Sequence, residues 1–156
     1  MLELRIPGFG GLHIEHLVLD YNGTIAVDGN LRPGVKRRIA ALAKRVRVHV
    51  LTADTFGTAQ AKLGAVRCDL VVLGRRSQAR VKAVYVRKLG AAHTVCIGNG
   101  RNDRLMLGIA ALGIAVLQGE GIATESLRAA DIVVSDARDA LDLLLKPLRL
   151  VATMRN

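Results

Sequence analysis

Four side chains that could take part in phosphoryl transfer accompany short apolar runs in this 156-residue chain. Asp20 directly follows the first run, Thr52 follows the second, and Asp103 lies in a glycine-containing loop after the fourth. Lys82 lies near the start of a helix predicted after the third run. A carboxylate can attack phosphorus while a hydroxyl and an ammonium bind the equatorial oxygens, and a magnesium ion between two carboxylates can neutralise developing charge. These residue types are therefore compatible with a phosphoryl-transfer site.

The apolar runs predict the elements that would bring these side chains together. Six runs have the length and composition of strands buried on both faces, at 16–19, 46–51, 70–73, 94–97, 113–117 and 132–134. Helices are predicted between or after them at 33–44, 77–89, 102–110 and 137–145. The alternation predicts a three-layer α/β fold, a Rossmann-like parallel sheet with helices on both faces. Such folds place their chemistry at the carboxyl ends of the strands.

The chain length suits one domain, which we predict to span residues 1–156. The first 14 residues contain Gly8, Gly10 and Gly11 and stand outside the alternation of strands and helices. They predict a short N-terminal hairpin or edge strand. No linker, internal repeat or low-complexity run interrupts the rest of the chain.

The positive charge is concentrated in the middle of the chain. The formal net charge is +10, and residues 32–104 alone carry 17 basic and 3 acidic residues. A nucleic-acid-binding module would account for this segment and remains an alternative function. It is not favoured, because no binding motif is present and only four residues are aromatic, which leaves little for base stacking. The charges of the first predicted helix also lie opposite its apolar stripe, as on any solvated face.

Cysteine usage and hydropathy indicate a reducing, aqueous compartment. Cys68 and Cys96 both lie in apolar runs, where we expect free, buried thiols. The four histidines show no convincing metal-ligand spacing. No signal peptide and no apolar run of membrane-spanning length is found, so the sequence predicts a soluble, cytoplasmic protein with no membrane partner.

The order and spacing of these residues resemble the haloacid dehalogenase (HAD) superfamily of phosphohydrolases from about residue 15 to residue 140. The most specific piece is LVLDYNGTIAVDG, a strand ending in Asp-x-x-Gly-Thr. IGNGRNDRLML is similar to the acidic loop Gly-Asp-Gly-x-Asn-Asp of that family. The tail RLVATMR and the loop GNGRND look like a subgroup of soluble proteins that resemble the catalytic core of P-type transport ATPases.

The resemblance implies a role for each matching residue. It implies that Asp20 accepts the phosphoryl group of a small phosphorylated substrate and so forms an aspartyl-phosphate. It also implies that Mg²⁺ is the cofactor. The phosphate-binding residues would be Asp20, Gly23, Thr52, Ala53 and Lys82. The metal ligands would be Asp20, Asn22, Asn99 and Asp103. The catalytic set would be Asp20, Asn22, Thr52 and Lys82.

Two amides depart from the family pattern. Asn22 stands where most phosphatases of the family have the Asp that acts as acid on the leaving group and as base on water. An amide does neither, so we expect a slow enzyme with a long-lived phospho-Asp20. Asn99 replaces the first acidic-loop Asp and removes a negative charge that would face the cation. The alternative is a catalytically impaired protein that still binds phosphate or metal.

The sequence leaves no room for a cap domain at either place where the family inserts one, 25–31 or 74–79. A capless site is open, so we expect a homo-oligomer or a large substrate to enclose it. Around the mouth we expect Tyr21 and Arg101, and the basic group Arg75, Arg76 and Arg80 could join them or be plain solvated surface.

Two other phosphate-binding classes fit less well. A bacterial receiver domain is phosphorylated after its third strand, whereas Asp20 follows the first predicted core strand. A dinucleotide-binding loop needs a third glycine where Asp103 stands.

Overall fold

The computed structural model describes residues 1–53 and 57–156. Asp54, in the loop after the second predicted strand, lies outside the described residues. The chain begins with an antiparallel hairpin of β1 (Leu2–Ile6) and β2 (Gly10–Ile14), which confirms the prediction for residues 1–14. Leu2 and Ile14 are buried, so the hairpin adds to the core on one side of the main sheet.

The other elements follow in chain order, and strands and helices alternate from the fifth strand to the sixth helix. They are β3 (His16–Asp20), β4 (Ala26–Val27), β5 (Asn30–Leu31), α1 (Val35–Leu42), β6 (Arg47–Thr52), α2 (Thr58–Leu63), β7 (Asp69–Val72), α3 (Gln78–Leu89), β8 (Thr94–Gly98), α4 (Arg104–Ile109), β9 (Leu112–Val116), α5 (Thr124–Ala129), β10 (Ile132–Val134), α6 (Ala137–Leu145) and α7 (Pro147–Met154). A 3-10 turn at Arg101–Asp103 precedes α4.

Six strands, β3 and β6 to β10, form one parallel sheet in the order β10-β9-β8-β3-β6-β7. All six predicted strands are confirmed. Leu17 and Leu19 of β3 pack on the face that carries α1, α6 and the hairpin, whereas Val18 packs on the face of α3 and α4. Burial on both faces explains why the central strands are continuous apolar runs, and the helices on both faces confirm the three-layer α/β fold.

The strand order places a crevice beside β3. From β3 the chain builds outward through β6 and β7, then returns to the other side of β3 and builds outward through β8, β9 and β10. The loops that follow β3 and β8 therefore diverge between neighbouring strands. Parallel sheets bind ligands at such a switch point, at the carboxyl ends of the strands.

The four predicted helices are present as α1, α3, α4 and α6. Val35, Ile39 and Leu42 form the predicted apolar face of α1, and all three are buried. The start of the predicted helix at 102–110 is a 3-10 turn, because Asp103 binds backbone amides of its own loop. Sequence analysis did not predict α2, α5 or α7.

No cap domain interrupts the described residues. The segment after β3 contains only the small hairpin of β4 and β5, and 74–77 is a short turn before α3. The capless prediction is thus confirmed. Among the described residues, no helix combines the length and the hydropathy needed to cross a membrane. Cys96 is buried as predicted, whereas Cys68 is only partly buried, because it lies just before an edge strand; both are free thiols.

Candidate active site

A buried lysine joins two carboxylates in the crevice beside β3. Nζ of Lys82 lies 2.6 Å from Oδ1 of Asp20 and 2.6 Å from Oδ1 of Asp103. The Lys82 side chain is 2% exposed and that of Asp103 is fully buried. Residues from three elements, the end of β3, the first part of α3 and the loop after β8, thus meet at one point, as the strand-end pattern predicts.

The loop after β8 is held by Asp103 itself. Its Oδ2 accepts hydrogen bonds from the backbone amides of Asn99, at 3.0 Å, and Gly100, at 2.9 Å. The same carboxylate therefore organises its own loop with one oxygen and binds Lys82 with the other. A Cβ at Gly98 would lie 2.6 Å from the Asp103 carboxyl carbon, so the strand must end in glycine for this carboxylate to fit.

Thr24 is a site residue that sequence analysis missed. Its hydroxyl lies 2.9 Å from Oδ2 of Asp20 and 3.0 Å from Oδ1 of Asn99, and the residue is fully buried. One hydroxyl proton can serve only one of these oxygens at a time. The side-chain amide of Asn99 donates to the carbonyl of Gly121 at 3.1 Å, which turns its oxygen toward the site. The Gly-Thr end of the first motif was the signal that could have identified Thr24.

The turn after Asp20 depends on a glycine and on a distant glutamine. Gly23 has φ +80°, and a Cβ there would lie 2.4 Å from Nδ2 of Asn99. The Gln118 side chain donates to the carbonyls of Gly23 and Thr24, and its oxygen accepts from the amide of Ala137 at 3.1 Å. Gln118 therefore fixes this turn against the start of α6. No local sequence signal marks it, because its partners lie 94 and 95 residues away.

Burial controls the charges at the site. Desolvation, with the charge of Asp103, raises the pKa of Asp20 to about 7, although Lys82 and Thr24 act in the opposite direction. Burial lowers the pKa of Lys82, but Asp20 and Asp103 raise it by more, so the net shift is upward and the ammonium stays protonated. The carboxylate form of Asp20 thus depends on cationic neighbours.

The remaining predicted phosphate-binding residues lie at the ends of neighbouring strands. Thr52 ends β6, directly beyond the residue that pairs with Asp20, and is 2% exposed. Ala53 is partly buried beside it. Asn22 is exposed in the turn after Asp20, and its backbone forms an isolated bridge with Ala26.

Of the two residues expected at the mouth, one is exposed and one is buried. Arg101 is exposed and forms an ion pair of 2.9 Å with Glu125. Tyr21 is not at the mouth: it is 1% exposed in the core, and its hydroxyl donates to the carbonyl of Gly29 at 3.1 Å. Since Asp20 occupies the site, the next side chain turns away from it and packs beneath the small hairpin.

The three arginines of the basic group, Arg75, Arg76 and Arg80, are exposed, and Arg80 lines a cavity. Arg80 and Arg101 both line a cavity of about 480 Å³ between the start of α3 and the loop after β8. Arg75 and Arg76 are exposed in the turn before α3 and do not line this cavity.

The oxygen donors suit a magnesium ion. The carboxylates of Asp20 and Asp103 share Lys82, and the side-chain oxygen of Asn99 is joined to Asp20 through Thr24. Magnesium in phosphoryl-transfer sites is typically held by one or two carboxylates and completes its shell with water and phosphate oxygens. No group of three His, Cys, Asp or Glu side chains with ligand geometry occurs among the described residues, so the donor set does not resemble a zinc cage.

Comparison of sequences identifies relatives of two kinds. An uncharacterized protein of Methanocaldococcus jannaschii is 52% identical over 62 residues, which cover 40% of this chain and 67% of that protein. A probable copper-exporting P-type ATPase of Archaeoglobus fulgidus is 34% identical over 123 residues, 76% of this chain. The match spans only 15% of the ATPase's length. No protein-family model matches the chain.

Comparison of structures supports the fold. The crystal structure of 3-deoxy-D-manno-octulosonate 8-phosphate phosphatase from Moraxella catarrhalis, in complex with a magnesium ion, a phosphate ion and a KDO molecule, superposes with a TM-score of 0.72. It has 15% sequence identity and covers 92% of this chain and 94% of that one. A putative HAD superfamily (subfamily III A) hydrolase from Legionella pneumophila has a TM-score of 0.67 and 17% identity, and the match covers 91% of this chain and 89% of that one. The chain therefore has the capless fold of the haloacid dehalogenase superfamily of hydrolases, and most of its length is similar to a segment of the P-type ATPases.

Proposed function

We propose that the chain is a magnesium-dependent phosphohydrolase that acts through an aspartyl-phosphate on Asp20. The observation that carries this proposal is the buried bridge from Lys82 to Asp20 and Asp103 at the switch point of the sheet. Burying three charges together costs free energy, and ionisable groups that are buried together in a crevice with shifted pKa values are characteristic of functional sites. Magnesium bound by this set would neutralise charge on the phosphoryl oxygens.

In the first step, a carboxylate oxygen of Asp20 attacks phosphorus while the bond from phosphorus to the leaving oxygen breaks. Lys82 and the Thr52 hydroxyl are the groups that would bind the phosphoryl oxygens in this step, since both lie at the carboxyl edge of the sheet. Thr24 holds one oxygen of Asp20 and so fixes the direction of the carboxylate. The leaving oxygen takes its proton from water, because the side-chain amide of Asn22 is not acidic enough to supply one.

In the second step, water attacks the phosphorus of the aspartyl-phosphate and releases phosphate and Asp20. This step needs a base to remove a proton from the water, and Asn22 cannot be that base. Hydrolysis is therefore the slow step, and the phosphorylated form accumulates. Because the site has no cap, small phosphorylated compounds can reach it directly. We also predict that the chain forms a homo-oligomer that encloses the site and that the protein is cytoplasmic.

The test is magnesium-dependent release of phosphate from an aryl phosphate by wild type, Asp20→Asn and Asn22→Asp. An aryl leaving group needs little protonation, so the first step proceeds even without an acid. We expect slow release by the wild type, none by Asp20→Asn, and about 10²-fold or faster release by Asn22→Asp, because general base catalysis contributes that much.

The controls separate an impaired protein from an unfolded one. Asn102→Asp adds the same charge to the neighbouring loop without supplying the group at position 22, and we expect no gain from it. If wild type, Asn22→Asp and Asn102→Asp are all folded and none releases phosphate, turnover is refuted and the result points to the alternative, a catalytically impaired protein that binds phosphate or metal.

A further inference from the structure

A basic groove lies at the edge of the sheet opposite the candidate active site. A cavity of about 590 Å³ is lined by residues 43–48 and 66–69, where β6 and β7 begin. A second cavity of about 450 Å³ lies between α1 and the segment after α2, and both are lined by Ala43, Lys44, Val66 and Arg67. We call the two together the amino-end groove.

The groove is separate from the site that contains Asp20. Strand β6 begins in the groove at Arg47 and ends at Thr52 beside Asp20. Five strand steps of about 3.3 Å place the two ends about 17 Å apart. A ligand in the groove would therefore not touch the residues proposed to act in catalysis.

The lining of the groove is strongly positive. Four basic side chains line it without an acidic partner in the part of the chain that the structure describes: Lys36, Lys44, Arg45 and Arg67. Asp69 is the one acid in the described lining, and it already pairs with Arg47 at 2.7 Å. Cations gathered around one concave surface repel one another, and a polyanion would relieve that repulsion.

The size and chemistry of the groove favour a compact ligand. Each cavity falls in the range of about 300 to 1,000 Å³ that small-molecule sites occupy. Among the described residues, no aromatic side chain lines either cavity, so these linings offer bases no surface on which to stack. We propose that the amino-end groove binds a small, multiply phosphorylated anion through Lys36, Lys44, Arg45 and Arg67.

The test is calorimetric titration of the full chain with inorganic triphosphate in metal-free buffer. We expect saturable binding of one triphosphate by the wild type. The double variant Lys44→Gln with Arg67→Gln should bind about a hundredfold more weakly, because each of the two charged hydrogen bonds lost costs roughly tenfold in affinity. The matched control is Arg87→Gln with Lys88→Gln, an exposed basic pair at the end of α3, and it should bind like the wild type.

Two further measurements separate this site from other anion binding. Thr52→Val alters the candidate active site and should leave triphosphate binding unchanged, whereas Lys44→Gln with Arg67→Gln should leave aryl phosphate hydrolysis unchanged. The proposal is overturned if the wild type shows no saturable binding, if the Arg87 and Lys88 variant loses as much affinity as the groove variant, or if Thr52→Val abolishes binding. Tighter, groove-dependent binding of a DNA duplex than of triphosphate would also overturn it, because a macromolecule would then be the ligand.

Discussion

Replacing Lys82 with methionine should destabilise the metal-free protein far more than the same replacement at an exposed lysine. The ammonium lies 2.6 Å from each of Asp20 and Asp103, and methionine would leave two buried carboxylates facing each other. Removing one member of a buried ionic group costs about 3 to 5 kcal/mol. A domain has only about 5 to 15 kcal/mol of unfolding free energy, so the loss would be easy to measure.

The assay is urea unfolding in EDTA at pH 7.5. Lys88→Met is the matched control, because Lys88 is exposed in the last turn of the same helix, and it should change the unfolding free energy by no more than about 0.5 kcal/mol. Adding Asp103→Asn to Lys82→Met should recover part of the loss, since one of the two facing charges is removed. A Lys82→Met variant within about 1 kcal/mol of wild type, or fully additive losses in the double variant, would refute the reasoning.

The pH dependence of the same variant has a definite sign. The pKa of Asp20 is raised from 3.8 to about 7, chiefly by burial and by Asp103. Between these values the folded protein binds more protons than the unfolded chain, so the stability linked to Asp20 is complete below pH 3.8 and is lost as the pH rises through 7. The cost of Lys82→Met should therefore shrink as the pH falls from 7.5 toward 4.

Three other predictions concern stability and turnover. Gly23→Ala should cost more unfolding free energy than Gly29→Ala, by urea titration, because both have positive φ but only at Gly23 would the Cβ meet a neighbour, 2.4 Å from Asn99; equal costs would contradict the close contact. Thr24→Val should cost about 1 to 3 kcal/mol and slow phosphate release, and Thr24→Ser, which keeps the hydroxyl, should restore both; failure of the serine variant would show that packing matters instead. Burial lowers the pKa of His49 from 6.5 to about 4, so protonation of His49 favours the unfolded chain and stability should fall as the pH drops from 6.5 to 4. In His49→Gln, the Tm should therefore depend less on pH over this range. The same dependence of Tm on pH in wild type and His49→Gln would show that His49 does not contribute to it.

The main sheet could be predicted from the sequence because its central strands, β3, β6, β8 and β9, are buried on both faces. In β3, Leu17 and Leu19 face one core while Val18 faces the other, which yields an uninterrupted apolar run. The positions of Asp20, Thr52, Lys82 and Asp103 then followed from strand order, and the structure brings Lys82 to both carboxylates.

What could not be predicted depends on contacts between distant segments. Gln118 holds the turn after Asp20 from 94 residues away, and no local pattern records that contact. Tyr21 is predicted at the mouth, but it is buried in the core beneath the small hairpin, where its ring is removed from water. Helices α2 and α5 have only six residues each, too few to produce a clear apolar period.

The central claim is that Asp20 becomes phosphorylated and remains so long enough to be observed. The most direct measurement is intact-protein mass spectrometry after incubation with an aryl phosphate and magnesium, followed by peptide mapping. The account predicts one added phosphoryl group on Asp20 that hydroxylamine removes, that Asp20→Asn does not acquire, and that is depleted in Asn22→Asp. A phosphoryl group on another residue, or one that persists in Asp20→Asn, would contradict it.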